Sequence, residues 1–286
     1  MSQQPPLTAR LYGLLDPLLL ISGSAKAFTK HAFQTFILQG TFPTPSAVFR
    51  VRDESFSKWW TKATAPIDPP PPPVGSSALV APILSHAHGV VLDIGPGTGP
   101  HVSAFSDNAN ITAIYGAEPA VGLHPALQDR IDKAGLTARY HILSCTADKK
   151  DLLAALAKQG LASAAAGDRD RDGLFDTIVC VRVLCSVPDP DQAARDLYSL
   201  LRPGGELMVV EHVKNPWTTA NGSVLGRAMQ ILCTLIGWQF FLAGCSLIRD
   251  TASYLKNAGK WEAVNIKWNF PWAPLPYVSG TLTKAR

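Results

Sequence analysis

The sequence predicts an α/β fold: a seven-stranded, mostly parallel sheet that ends in a C-terminal antiparallel hairpin, with an N-terminal helical accessory region ahead of it. Three observations carry that expectation. From residue 89 onward short β-rich runs alternate with helical stretches, a proline tract sets this regular part off from what precedes it, and the last two β-rich runs are joined by a turn-rich PWAPLP.

Five runs have strand character in βα order. They are Val90 to Gly95 (VVLDIG), Ile111 to Glu118 (ITAIYGAE), Arg139 to Cys145 (RYHILSC), Asp176 to Leu184 (DTIVCVRVL) and Glu206 to Val213 (ELMVVEHV). Strands that alternate with helices pair in parallel and are covered on both faces, which makes the arrangement Rossmann-like. Ala263 to Phe270 and Tyr277 to Ala285 follow without a helix between them, so they read as the terminal hairpin. Asp151 to Leu161 has helical character, and Ser163 to Gly173 (SAAAGDRDRDG) is small, charged and turn-rich, the composition of a solvated loop. Asp189 to Leu201 sets Ala193, Ala194, Leu197, Leu200 and Leu201 at helical spacing and stops at Pro203-Gly204-Gly205.

The prolines from 69 to 73 lack backbone donors and favour an extended chain, so no helix or sheet runs through them. They mark a linker over 66–77 between an accessory region, 1–65, and the main domain, 78–286. In the accessory region Leu7 to Trp60 mixes apolar and basic residues with Phe28, Phe33, Phe36, Trp59 and Trp60, which suits helices that cover something. The longest apolar stretch, Ala228 to Gly244, carries Gln230, Thr234 and Gln239 and falls short of the roughly 20 apolar residues that span a bilayer. The segment Val224 to Gly244 is apolar all round and needs a cover of protein, ligand or lipid. The accessory region is the expected cover, with peripheral membrane contact as the alternative.

Charge excludes one class of partner. The 26 basic and 22 acidic residues give a net charge of +4 scattered along 286 residues, with no block that could track a phosphate backbone, so nucleic acid is not an expected partner. Five cysteines without a close C-x-x-C pair read as reduced thiols of an intracellular, cytoplasmic protein. The amino terminus lacks the charged start, long apolar stretch and small-residue cleavage site of a secretory signal, although Leu14 to Ile21 is apolar apart from Asp16, so export by the usual route is not expected.

The chemistry concentrates in VLDIGPGTGPH. An apolar strand runs into Asp93, then glycines at 95, 97 and 99, then an expected helix, and glycines there let the backbone turn sharply and approach a ligand. A dinucleotide fingerprint counted from Gly95 would need its third glycine at Pro100, so the nicotinamide reading loses its motif. Glu118, ending the second strand, is placed to accept hydrogen bonds from both hydroxyls of a ribose. Asp148, just after the third strand, is placed to read an adenine amino group or else to start a helix. No Asp, His or Cys cluster at metal-ligand spacing stands beside them in the sequence, so no metal is expected.

On these residues the sequence resembles the class I S-adenosyl-L-methionine-dependent methyltransferases from Gly89 to Arg286, with LDIGPGTG, AEP, LLRPGGELMVVEH and the closing hairpin in the family's order. VCVRVLCSVPD, LLRPGGELMVVEHV and GCSLIRDT resemble the methyltransferase-like branch of membrane-associated thiol S-methyltransferases. Pro96 stands where that branch usually has cysteine, and the accessory region is less apolar than its membrane anchor. The resemblance implies a cofactor, S-adenosyl-L-methionine, held by Asp93, Gly95, Gly97, Gly99, Glu118 and Asp148. It also implies a small-molecule substrate, expected to be apolar, that accepts a methyl group on sulfur, oxygen, nitrogen or carbon. The other readings are a methyltransferase-fold catalyst of cyclisation or decarboxylation, and a binding subunit. His212 and Arg182 lead the catalytic candidates, since they sit near carboxyl ends of strands where such sheets place ligands; Cys185 and His101 follow. Seven tryptophans could line an acceptor pocket, although core packing accounts for most of them.

Overall fold

The computed structural model describes residues 6–160 and 173–286. The expected loop at 163–173 therefore lies, apart from Gly173, outside the described residues. In chain order the helices are α1 (Leu7–Gly13), α2 (Asp16–Ala32), α3 (Pro45–Ala63), α4 (Val80–Leu84), α5 (His124–Lys133), α6 (Lys149–Lys158), α7 (Pro190–Leu200), α8 (Val224–Leu235), α9 (Trp238–Phe241) and α10 (Thr251–Asn257). The strands are β1 (Gly89–Ile94), β2 (Ile111–Ala117), β3 (Tyr140–Leu143), β4 (Phe175–Val181), β5 (Leu201–His212), β6 (Trp261–Asn269) and β7 (Tyr277–Lys284).

All seven strands form one sheet in the order β3-β2-β1-β4-β5-β7-β6. The pairs β1–β2, β1–β4, β2–β3 and β4–β5 are parallel, and the hairpin closes the edge antiparallel. The chain winds outward from β1 to β3 and then returns beside β1 with β4, so the order reverses between β1 and β4. Open sheets of this kind bind ligands outside the carboxyl ends of the strands at that reversal. Burial on both faces explains the unbroken apolar runs: Val91, Leu92, Ile178, Val179, Leu207 and Val209 are all fully buried. Each such side chain contributes roughly 1.5–3 kcal/mol.

Local chemistry sets the helix starts. Pro190 opens α7 in the first turn, where a missing N–H costs nothing, and Asp189 caps it by accepting from Gln192 N. One boundary differs from expectation. β5 begins at Leu201, ahead of Pro203-Gly204-Gly205, because Phe175 pairs with Leu201 while Thr177 pairs with Glu206. The intervening residues loop out as an irregularity, with Gly204 at φ 77°, and pairing resumes.

The chain divides into two units. The sheet unit comprises 64–211, 251–267 and 278–286; the helical unit comprises 1–63, 212–250 and 268–277. In the helical unit Ile21, Cys233, Trp238, Leu242 and Leu247 form a core with Phe56 and Trp59 packed against it. Gly23 lets α2 approach α3, since a Cβ there would stand 2.9 Å from the Trp59 indole nitrogen. Gln230 of α8 is fully buried and satisfied: its oxygen accepts from Asn215 N at 2.9 Å, and its amide donates to Val213 O at 3.1 Å and Pro274 O at 2.9 Å. The all-round cover expected for 224–244 is found on one face only. Cys233 is buried, while Val224 and Leu235 on α8 are 68% and 79% exposed.

Candidate cofactor site

The glycine turn leaves the carboxyl end of β1 with Gly95, Gly97 and Gly99 at φ 59°, 62° and 76°, a left-handed conformation that side chains resist. Gly95 is also fixed by space, because a Cβ there would stand 2.3 Å from Val183 Cγ2 in the loop after β4. The helix expected after the turn is a single 3-10 turn, Val102–Phe105. Its run is cut short by Asn108, whose side chain donates to Ala87 O at 2.6 Å and accepts from Asn110 N at 3.0 Å, steering the chain straight into β2. The turn therefore has no long helix behind it, and its glycine amides are held within the protein: Gly95 N donates to Ala117 O and Gly99 N to Pro96 O, both at 2.9 Å.

Glu118, just past β2, is 5% exposed and spans the turn. Its Oε2 accepts from Gly97 N and its Oε1 from Ala120 N, both at 2.8 Å. Burial pushes its pKa above the ordinary value, while those two N–H bonds and nearby His124 oppose the shift and Asp93 adds to it. The turn is braced from the other side as well: Thr98 Oγ1 lies 2.8 Å from Thr64 Oγ1, and Arg130 donates to the Thr64 carbonyl.

Asp93 is fully buried. The His101 Nε2 lies 3.1 and 2.9 Å from its two oxygens, and Tyr140 donates its hydroxyl to Oδ2 at 2.8 Å. Asp148 caps α6, with Oδ1 accepting from Lys150 N at 2.9 Å and Asp151 N at 3.2 Å. Thus Asp93, Gly95, Gly97, Gly99 and Glu118 come together around one turn, while Asp148 stands at the start of a helix.

The catalytic candidates divide between the units. Arg182 follows β4 with φ 59°, unusual for a residue with a side chain, and its Nη1 is 3.5 Å from Ser76 Oγ. Cys185 is buried, with its sulfur 3.6 Å from Arg182 O. Both belong to a loop held by Glu211, which is fully buried and accepts from Val183 N at 2.8 Å and Leu184 N at 3.0 Å. Sequence reading passed over Glu211, although a carboxylate inside the apolar run MVVEHV cannot be buried without donors. His212, the last residue of β5, belongs to the helical unit. Its Nε2 lies 3.2 Å from Cys245 Sγ, which also accepts the Trp238 indole N–H at 3.3 Å.

A parallel sheet with reversed strand order, a glycine turn after β1 and a carboxylate after β2 define the class I methyltransferase fold. Residues 75–259 match the model of the methyltransferase domain family, and the chain belongs to that family. Human thiol S-methyltransferase TMT1B is 33% identical over 117 residues, covering 40% of this chain and 45% of the relative. Human thiol S-methyltransferase TMT1A is 31% identical over 119 residues, with the same two coverages of 40% and 45%. The chain thus spans less than half the length of these relatives. Geranyl diphosphate methyltransferase, solved with GPP and sinefungin, superimposes with a TM-score of 0.50 at 13% identity, over 73% of this chain and 77% of that one.

Proposed function

We propose that this protein transfers the methyl group of S-adenosyl-L-methionine to a small, lipophilic acceptor, and that thiols are the first acceptor class to test. The observation that carries the reading is Glu118. It is a buried carboxylate with one oxygen accepting from Gly97 N of the glycine turn and the other from Ala120 N of its own loop. Further lone pairs on those oxygens suit the two hydroxyls of a ribose. Gly97 carries no side chain where a ligand's backbone-hugging portion would lie, Gly95 and Gly99 make room for Val183 and Leu127 behind the turn, and the second oxygen of Asp148 is the proposed reader of adenine. The thiol class is supported by the partial likeness to thiol S-methyltransferases.

When bound, the cofactor supplies an electrophilic methyl group on a sulfonium, which an in-line displacement transfers to the acceptor. The chain's task is then to hold donor and acceptor at attack distance and keep water out. A thiol of ordinary pKa near 8.5 needs little help to ionise, so no strong base is required of the chain. Arg182, in the loop after β4, is proposed to steady the resulting anion through its guanidinium donors.

A peripheral lipid contact belongs to the same proposal. In the helical unit Tyr12, Leu19, Ile37, Leu38, Phe42 and Leu235 are each 67–79% exposed. Among the described residues no helix is long and apolar enough to cross a membrane. An apolar surface of this kind suits a protein resting on an internal membrane, where lipophilic acceptors collect. The five cysteines, read as reduced thiols, support the proposal of an intracellular setting.

The test is mass spectrometry of products from a panel of lipophilic thiols, phenols and amines incubated with S-adenosyl-L-methionine. Methylated product in step with cofactor consumption is expected. Cofactor binding with no methylated product from any acceptor would reject methyl transfer. Co-sedimentation with anionic vesicles tests the lipid contact, and full recovery in the supernatant would reject it.

A further inference from the structure

We infer that His101 and Tyr140 are positioning residues that clasp the base of the glycine turn through Asp93 and so set the affinity for S-adenosyl-L-methionine. This rests on the reading of residues 95–99 as the cofactor turn. Asp93 is on β1 immediately before the turn and His101 lies just after it. The imidazole Nε2 within 3.1 Å of both carboxylate oxygens therefore closes the seven residues between them into a loop. Both side chains are buried, so the bond is formed in low dielectric, where a charge-assisted hydrogen bond is strong and its loss is costly.

Tyr140 supplies the second arm, and the sheet is built to let it through. It begins β3, two strands from β1, and its hydroxyl reaches Asp93 by crossing β2 at Gly116. A Cβ at Gly116 would stand 2.5 Å from that hydroxyl, so a strand-interior glycine, which weakens a strand, is explained by the path it leaves open. Burial and the neighbouring Asp93 and Glu118 carboxylates push the phenol pKa well up, so Tyr140 remains a donor. The turn is thus pinned at its base by Asp93 and at its tip by Glu118 accepting from Gly97 N. An apo turn held in place spends less binding energy on becoming ordered.

Calorimetry with S-adenosyl-L-methionine on wild type, His101→Ala, His101→Gln, Tyr140→Phe and the double variant tests the clasp, alongside thermal melts and steady-state kinetics. The expected result for His101→Ala is a Kd and cofactor KM raised about tenfold, the scale of one lost charge-assisted hydrogen bond, with kcat within about twofold. His101→Gln, which returns an N–H near the Nε2 position, should recover most of the affinity. Tyr140→Phe keeps shape and removes only the hydroxyl, so it remains informative if the alanine variant unfolds; it should weaken binding, and non-additively with His101→Gln. Wild-type Kd in His101→Ala or, should that variant not fold, in Tyr140→Phe would overturn the clasp. A lowered melting temperature with unchanged Kd would assign these residues to stability alone, which also overturns it. Wild-type protein that does not bind the cofactor would remove the functional reading itself, a result distinct from either.

Discussion

Glu118→Gln separates what the carboxylate does for the fold from what it does for the ligand. In the structure its two oxygens accept from Gly97 N and Ala120 N, both at 2.8 Å. Glutamine keeps one acceptor oxygen and turns an NH2 group toward the other N–H, so one good bond becomes a donor facing a donor. That change costs about 1.5–3 kcal/mol for a bond to a charged group. It is offset because the variant no longer buries a charge, and burial is the first cause of the raised Glu118 pKa. The net effect on folding should therefore be small. Ligand binding has no such offset. Replacing a carboxylate acceptor by half an amide under a ribose loses one charge-assisted bond, about 1.5–3 kcal/mol, or roughly ten- to a hundredfold in Kd. Isothermal titration with S-adenosyl-L-methionine and with S-adenosylhomocysteine, beside thermal melts of both proteins, measures the two effects. A variant that melts like wild type and binds within about twofold of it would refute the assignment of Glu118 to the ribose.

Four further outcomes follow from the same structure. Because burial raises the Glu118 pKa above 4.5, protonation removes the acceptor as pH falls through that raised value; cofactor affinity, followed by titration at a series of pH values, should therefore decline at a higher pH than an exposed glutamate would give. Over the same window the native state binds the proton before the unfolded chain does, so the Glu118 contribution to stability rises as pH falls; Glu118→Gln should flatten that part of the pH–stability curve measured by denaturation. Gly95→Ala forces a Cβ to 2.3 Å from Val183 at φ 59° and should lower stability by about 1–3 kcal/mol or more, with cofactor binding reduced in parallel, read by chemical denaturation and calorimetry. Gln230→Met leaves Asn215 N and the Val213 and Pro274 carbonyls without their buried partner and should destabilise the helical unit by about 3 kcal/mol or more; a denaturation midpoint equal to wild type would contradict it.

Each of the seven runs is a strand: the central ones were legible because a strand buried on both faces writes itself as an apolar run, and the hairpin, whose β6 has no buried residue, because a turn-rich PWAPLP joins its two strands. The glycine turn was legible because three positions at φ 59–76° are cheap only for glycine. Partnerships between distant polar residues were not. Asp93 reads as a ligand for the cofactor and His101 as a base, yet the chain reversal at 95–99 brings them together, and Tyr140 joins from a strand 47 positions away. Gln230 reads as an interruption of an apolar stretch, and Glu211 as part of a strand; each proves to be the buried acceptor for backbone N–H groups of another segment. The common physical reason is that a buried polar side chain is tolerable only with partners, and partners supplied by tertiary structure leave no local pattern. The converse is usable. A charged or amide side chain inside an apolar run, as in VVLDIG, MVVEHV or MQILC, marks a place where two segments are tied together. In this chain the ties at Asp93 and Glu211 hold the loops after β1 and β4, the two that flank the reversal of strand order where the cofactor is proposed to bind. The residues that resist burial are thus spent on keeping the ligand loops in place.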